Sequence, residues 1–390
     1  MNEIAERPST EPASPHLPCS IERLGRIVTP ALVIYADVVE ENIRTTLRLL
    51  NGDPSRWRPH LKTAKLIFTM KKLIKYGVNQ CKCATTLELK VALEAGFDDV
   101  LLAFPVSGAG ALRVAEIAAS HPKRSISVLV ENADNLAMWQ PTGVNIFVDI
   151  NSGMNRTGIE QSRINEIVQL VQNIHSQGLH FKGLHYYEGH LGDLSLRERM
   201  KAAEECYGQL VKIALAIQHR GYHIPEVVTS GTPAFPCALS YTEFKNSGFL
   251  HRMSPGTLVY CDARSLRQLP EEFDYKPAAF VLSTIVSRPS AGRVTCDAGS
   301  KAVSTDLGDP TCEVVGRPEL TPAHPSEEHL PLLIDAGSPA PSLGETLYLL
   351  PRHICPTLNN FDHAFVVSGG DLVLLESVTA RGHESVLIKN

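Results

Sequence analysis

Four short segments carry side chains able to do chemistry. Arg58-Pro59-His60-Leu61-Lys62-Thr63-Ala64-Lys65 places Lys62 among basic and apolar neighbours. An amine in such surroundings sheds its proton more readily and can form an imine with a carbonyl compound. Taken alone, Lys62 reads equally well as a surface lysine. Val228-Thr229-Ser230-Gly231-Thr232-Pro233, with Ser254-Pro255-Gly256-Thr257 after it, offers hydroxyls and N–H groups where glycine lets backbone approach an anion. Short Gly/Ser/Thr turns look the same without any ligand. In Leu350-Pro351-Arg352-His353-Ile354-Cys355-Pro356-Thr357, extended backbone would put His353 and Cys355 on one side, where both can bind one ion. A core cysteine beside an unrelated histidine explains that spacing as well. Gly183-Leu184-His185-Tyr186-Tyr187-Glu188-Gly189-His190 supplies histidines, tyrosines and a carboxylate as acids, bases, stacking groups or packing.

The elements that must position these groups alternate regularly. Strand-like runs cover 31–36, 58–62, 80–84, 99–104, 125–130, 145–150, 181–187 and 227–230. Helical patterns lie between them at 38–50, 86–95, 109–120, 162–176 and 196–221. Alternation of this kind demands parallel strands joined by crossovers, and eight units in roughly 250 residues point to a closed barrel. Catalytic groups of such barrels sit at strand C-terminal ends, with phosphate often bound after strands seven and eight. Lys62 and Ser230 to Thr232 fall at such ends.

Near residue 270 the pattern changes. Strands at 277–286, 293–296, 330–334, 345–350, 364–368 and 371–375 are separated by turns, without a strong helical pattern. The expected fold is therefore α/β, a (β/α)8 TIM barrel over 29–268 followed by a mostly antiparallel β domain over 269–390. Residues 1–28 form an N-terminal segment, partly disordered or joining the β domain, with 1–18 rich in Pro, Ser, Glu and Ala.

Bulk properties exclude several classes. The chain has 390 residues, 43% hydrophobic and 20% charged, which suits two globular domains. A net charge of -5 gives no reason to expect nucleic acid as a partner. No apolar run approaches the ~20 residues that span a bilayer. Nine scattered cysteines without CxxC spacing, and no signal-peptide pattern, suggest a cytoplasmic protein with reduced thiols.

Together the segments resemble the D-threonine aldolase and D-serine dehydratase family, pyridoxal-phosphate enzymes of the alanine-racemase-like fold. The resemblance runs from about Thr29 to Val378, and Arg58 to Thr63 is its most specific stretch. Ala84 to Glu88, Val148 to Gly158, Ser254 to Tyr260, Asp297 to Ala302 and Ser326 to His329 also match in order. It implies that Lys62 carries the cofactor as a Schiff base, with His60, Arg156 and Tyr187 nearby. The phosphate would rest on Ser230, Gly231 and Thr232 and on Gly256, Thr257 and Tyr260. His353 and Cys355 would hold a divalent metal. Ala64 stands where family members often carry His. Cys355 matches dehydratases, since the aldolases usually pair His with Asp.

The resemblance further implies a lyase for small 3-hydroxy-D-amino acids. Thiolate with imidazole suits zinc better than manganese or magnesium. This leans the reaction toward dehydration of D-serine or 3-hydroxy-D-aspartate. The alternative is Cα–Cβ cleavage to glycine and an aldehyde, with His190 or a metal-bound water as base. An amino-acid racemase, needing no metal, and a non-catalytic cofactor carrier are further alternatives. The relatives suggest a homodimer.

Overall fold

The computed structural model describes residues 17–388 apart from 22, 23, 135 and 141. Most of the expected loose N-terminal segment lies outside the described residues. The chain opens with β1 (Ala31–Tyr35) and α1 (Ala36–Leu49), passes Trp57 to His60, then forms α2 (Ile67–Lys75). Next come β2 (Gln80–Cys83), α3 (Thr86–Ala95), β3 (Asp99–Leu102), α4 (Gly108–Ser120), β4 (Ser125–Val130), β5 (Asn145–Asn151) and a two-residue β6 (Ile159–Glu160). Further on are α5 (Ile164–Ser176), β7 (Phe181–Tyr186), α6 (Leu196–His219), β8 (Glu226–Thr229), α7 (Phe235–Ser240), β9 (Leu250–Met253) and α8 (Ala263–Gln268).

Strands β2, β3, β4, β5, β7, β8 and β9 pair in parallel in that order. The sheet closes through Trp57 to His60. The Arg58 N–H donates to Met253 O at 2.9 Å, and Lys82 N donates to Pro59 O at 2.9 Å. Pro59 has no N–H to add to the ladder, which is why this eighth stave is held only by isolated bridges. The barrel is present, but one of its expected strands is exchanged for another. The run at 31–36 is not a barrel strand, and β9, unassigned in the sequence reading, takes its place. Leu250-His251-Arg252-Met253 is short and half polar, so its pattern was weak. Consequently the loops at Ser230 and Ser254 follow the seventh and eighth barrel strands, and Lys62 follows the first.

β1 lies instead in the β domain, antiparallel to β10 (Ala279–Ser290). That domain adds β11 (Arg293–Cys296), β12 (Cys312–Val314), β13 (Leu320–Pro322), β14 (Leu330–Ile334), β15 (Thr346–Pro351), α9 (Ile354–Leu358), β16 (His363–Ser368) and β17 (Asp371–Ser377). β1 is also parallel to β16. All five of its residues are buried, as a central strand covered on both faces requires. Its sequence Ala-Leu-Val-Ile-Tyr therefore fits either sheet, and only tertiary pairing decides. α9 was not expected, because five residues are too few to show a period.

A separate core of the β domain gathers Val281, Val294, Leu330 and Leu349. The barrel lumen has its own small apolar layer of Leu101, Leu129, Phe147 and Val228. Below that layer a ring of charge is sealed from water. Arg58, fully buried, pairs with Asp99 at 2.7 Å and with Glu226 at 2.8 Å. Arg252 reaches Glu226 at 2.9 Å. Removing one member would leave its partners with less compensating charge. All nine cysteines are free thiols. Among the described residues no helix is long and apolar enough to cross a membrane.

Candidate active site

Side chains on a strand alternate, so Arg58 and His60 share one wall of the lumen, and Lys62 follows in the turn at 61–63. Arg58 sits in the charge ring below. His60 and Lys62 line a cavity of about 340 Å³ at the C-terminal mouth. Lys62 is exposed into this opening, and its N–H donates to His60 Nδ1 at 3.2 Å. Burial, with Lys62 and Lys82 close by, holds His60 well below the usual imidazole value, hence neutral.

His353 and Cys355 line the same cavity. The extended spacing expected for them is not what joins them. His353, two residues past the end of β15, is the extended N-cap of α9 with φ −136°, and Cys355 is already inside the first turn of that helix. Pro356 suits that turn, where its missing N–H costs nothing. A barrel residue sets the angle: Asp262 Oδ2 accepts the Ile354 N–H, between the two donors, at 2.9 Å. Thr63 Oγ1 lies 3.0 Å from Cys355 Sγ. The residue next to Lys62 therefore touches Cys355 directly, across 292 positions of sequence.

Electrostatics prepare the pair for a cation. His353 Nδ1 is 2.6 Å from Asp306 Oδ2, the partner that orients a ligating imidazole and leaves Nε2 free. Burial disfavours a charged imidazole, yet Cys355 and Asp306 hold His353 up at about 9. Burial also opposes a thiolate, but His353 brings the Cys355 thiol below its ordinary value. Among the described residues no group of three or more His, Cys, Asp or Glu is arranged around one point. An ion held by these two donors would have its remaining positions open to water or substrate, as in catalytic rather than structural sites.

Another part of the lining suits a phosphate, although its Thr257 Oγ1 also lies 3.8 Å from Cys355 Sγ. Gly231, Thr232, Gly256 and Thr257 line it. Ser230 adopts φ +57°, rare for a residue with a side chain, and its buried Oγ has no hydrogen-bond partner. Such strain and an orphaned hydroxyl gather where a ligand completes a site. Gly256 is required by close approach: a Cβ there would lie 2.3 Å from the His60 carbonyl oxygen. Glu188 stands behind this loop, accepting from Tyr207 Oη at 2.5 Å and from Ser230 N at 3.3 Å. Burial pushes its carboxyl up to about 7.

Arg156 and Tyr187 also line the cavity, with the guanidinium 5.0 Å from the ring centroid. Three expected residues do not line it: Ser230, Tyr260 and His190, with Ser230 wholly buried next to the lining residue Gly231. Tyr260 is buried and its hydroxyl meets Thr69 of α2 at 2.7 Å, so it fastens a helix. His190 sits exposed on a 3-10 turn after β7, beside Gly153 and outside the cavity lining. The turn that follows Tyr186 carries it past the rim.

Several site residues escaped the sequence reading: Thr63, Lys82, Asp149, Asp262 and Asp306. Lys82 did carry a signal, since it alternates with buried Cys81 and Cys83 and must therefore face the lumen.

With the amine, the two donors and the phosphate loops at one cavity, comparison with known proteins becomes decisive. Residues 34–263 match the profile of the alanine racemase N-terminal domain, and residues 278–367 match that of a serine dehydratase domain. The chain belongs to the alanine-racemase-like family, in its D-threonine aldolase and D-serine dehydratase branch. This is a family of pyridoxal-phosphate enzymes, and the protein is accordingly a lyase. D-threonine aldolase from Arthrobacter sp is 28% identical, with 97% of each chain covered. A 3-hydroxy-D-aspartate aldolase from Paracoccus denitrificans (strain Pd 1222) is 26% identical over 92% of this chain and 93% of that one. Among solved structures, D-threonine aldolase from Filomicrobium marinum superposes with a TM-score of 0.83 at 27% identity, covering 92% and 96%. D-threo-3-hydroxyaspartate dehydratase from Delftia sp. HT23 superposes with a TM-score of 0.78 at 21% identity, covering 94% and 100%, a likeness of fold.

Proposed function

We propose that this alanine-racemase-like enzyme is a metal-dependent lyase for 3-hydroxy-D-amino acids, and that it dehydrates them. The observation that carries this reading is the contact of Thr63 with Cys355, which sets an imidazole–thiolate pair beside the cofactor lysine. Lys62 would hold pyridoxal phosphate covalently, with Ser230, Gly231, Thr232, Gly256 and Thr257 around its phosphate. When bound, this cofactor supplies an electron sink for charge developing at Cα. His353 and Cys355 would hold zinc, the softer match to their donors, whose Lewis acidity acts on a 3-hydroxyl.

Lys62 then works as a base. Its Nζ, once free, would take the Cα proton and pass it to the 3-hydroxyl, which would leave as water. Hydrolysis of the resulting enamine gives a keto acid and ammonia. The exposed position of His190, outside the cavity, supports dehydration, because it removes one base that cleavage was expected to use. A second reading, Cα–Cβ cleavage to glycine and aldehyde, is favoured by the aldolases among the relatives.

The test is a product analysis of D-serine, D-threonine and 3-hydroxy-D-aspartate, with and without chelator. Ammonia and keto acid in equal amounts, lost on chelation and restored by zinc, are expected. Glycine and aldehyde as sole products overturn dehydration and leave the lyase standing. Full activity in chelator with interconversion of enantiomers would instead identify a racemase. A homodimer is proposed too, to be read as a mass near twice 42.6 kDa by light scattering.

A further inference from the structure

The mechanism above leaves one buried amine unused. Lys82 projects from β2 into the same cavity as Lys62 and is almost wholly buried. Its Nζ lies 3.4 Å from His185 Nε2, and His185 Nδ1 lies 2.7 Å from Asp149 Oδ1. An imidazole donating from Nδ1 to a carboxylate leaves a lone pair on Nε2, aimed here at the amine. Both His185 and Asp149 are buried, so the three groups form a dry chain of proton acceptors ending in the cavity.

We propose that Lys82, backed by His185 and Asp149, is the base that takes the proton from the substrate's 3-hydroxyl, and so governs how much substrate is cleaved between Cα and Cβ rather than dehydrated. This rests on the lyase reading and deepens it. The O–H bond breaks and its proton goes to the neutral Nζ. The oxygen's electron pair becomes the second bond of an aldehyde as Cα–Cβ breaks, with that bond's pair left at Cα. Lys62 Nζ–H returns a proton to Cα, and glycine results. The proton gained by Lys82 stays on its Nζ, which can donate to the neutral His185 Nε2 while Asp149 holds His185 Nδ1.

The charged surroundings suit this role. His60 and Lys62 face Lys82 from the first barrel stave, Asp149 and Arg156 from β5 and its loop, and His185, Tyr187 and Glu188 from β7 and its end. Burial first, and then Lys62, bring Lys82 down to about 7, with Glu188 and Asp149 opposing. Burial and Lys82 keep His185 neutral against Asp149. A base is most effective when its acidity matches the working pH.

The experiment uses the holoenzyme and measures the ratio of glycine to ammonia from D-threonine across pH 6 to 9. In the wild type the cleaved fraction rises through neutrality, and visible absorbance of the bound cofactor shows an inflection there. K82M should lower cleavage by roughly 100-fold, the usual worth of a general base. It should also lose the absorbance inflection, while borohydride still fixes a pyridoxyl group on Lys62, which reports folding and loading. K82R restores positive charge but no base, so cleavage stays lost. H185N keeps the amine and should move the midpoint of both curves. An unchanged product ratio and absorbance titration in K82M overturn the proposal, as does a wild type making only keto acid at every pH. A loaded wild type that turns over none of the three substrates overturns the lyase reading instead. The absorbance inflection then decides alone whether Lys82 exchanges a proton beside the cofactor.

Discussion

At the scale of single residues, the structure divides the site into groups that bear the chemistry and groups that aim them. Lys62, His353 and Cys355 were singled out through the resemblance to the family, because a lysine at a strand end or a His-x-Cys step taken alone has an ordinary structural explanation. Asp306 was not, since 47 positions separate it from His353 and nothing local marks the pairing. It makes a sharp test. Asp306→Asn keeps the size but weakens the hold on the imidazole, and zinc affinity should fall roughly 10- to 100-fold. Dialysis against graded chelator with metal analysis would show this, and unchanged zinc retention would refute the orienting role. Lys62→Ala should abolish borohydride-stable cofactor attachment, measured by peptide mass, while the folded fraction stays the same.

At the scale of elements, helices α3, α4, α5 and α6 emerge close to their expected bounds because each has a cap or a clear period. α6 begins at Ser195 with a capping box to Glu198, a signal written in four residues. The staves were harder. β1 and β9 exchanged places because a short buried strand carries no mark of its sheet. β9 also brings a pH dependence. His251 in that strand meets Thr229 of β8 at 2.8 Å and is buried, which pushes its imidazole down to about 3. The unfolded chain binds this proton near pH 6.5 and the folded chain only near 3, so stability must fall as pH drops through that window. His251→Gln should flatten the acid limb of a denaturation series by a few kcal/mol. An unchanged limb would show that the imidazole is not held neutral. The ring offers a test of packing: Arg58→Met takes the shared cation from Asp99 and Glu226, leaving them only Lys182 and Arg252, and should cost about 3 kcal/mol in urea unfolding.

At the scale of the whole molecule, composition announced two domains and the change of pattern near 270 marked their seam. What it concealed was that the first strand belongs with the last ones. A chain ending after Gln268 would retain β1 while losing both of its neighbours, β10 and β16. Such a fragment should aggregate rather than persist as a cofactor-loaded barrel, as size-exclusion chromatography would show. A monodisperse, yellow fragment would restore the cofactor-carrier reading.

That placement of β1 makes the barrel an excursion from the β domain, leaving it at Tyr35 and returning near Ala279. Two covalent threads, not one, moor the barrel to the domain that bears His353 and Cys355. A backbone cut in any one barrel loop would therefore leave both halves of the barrel attached to the same sheet.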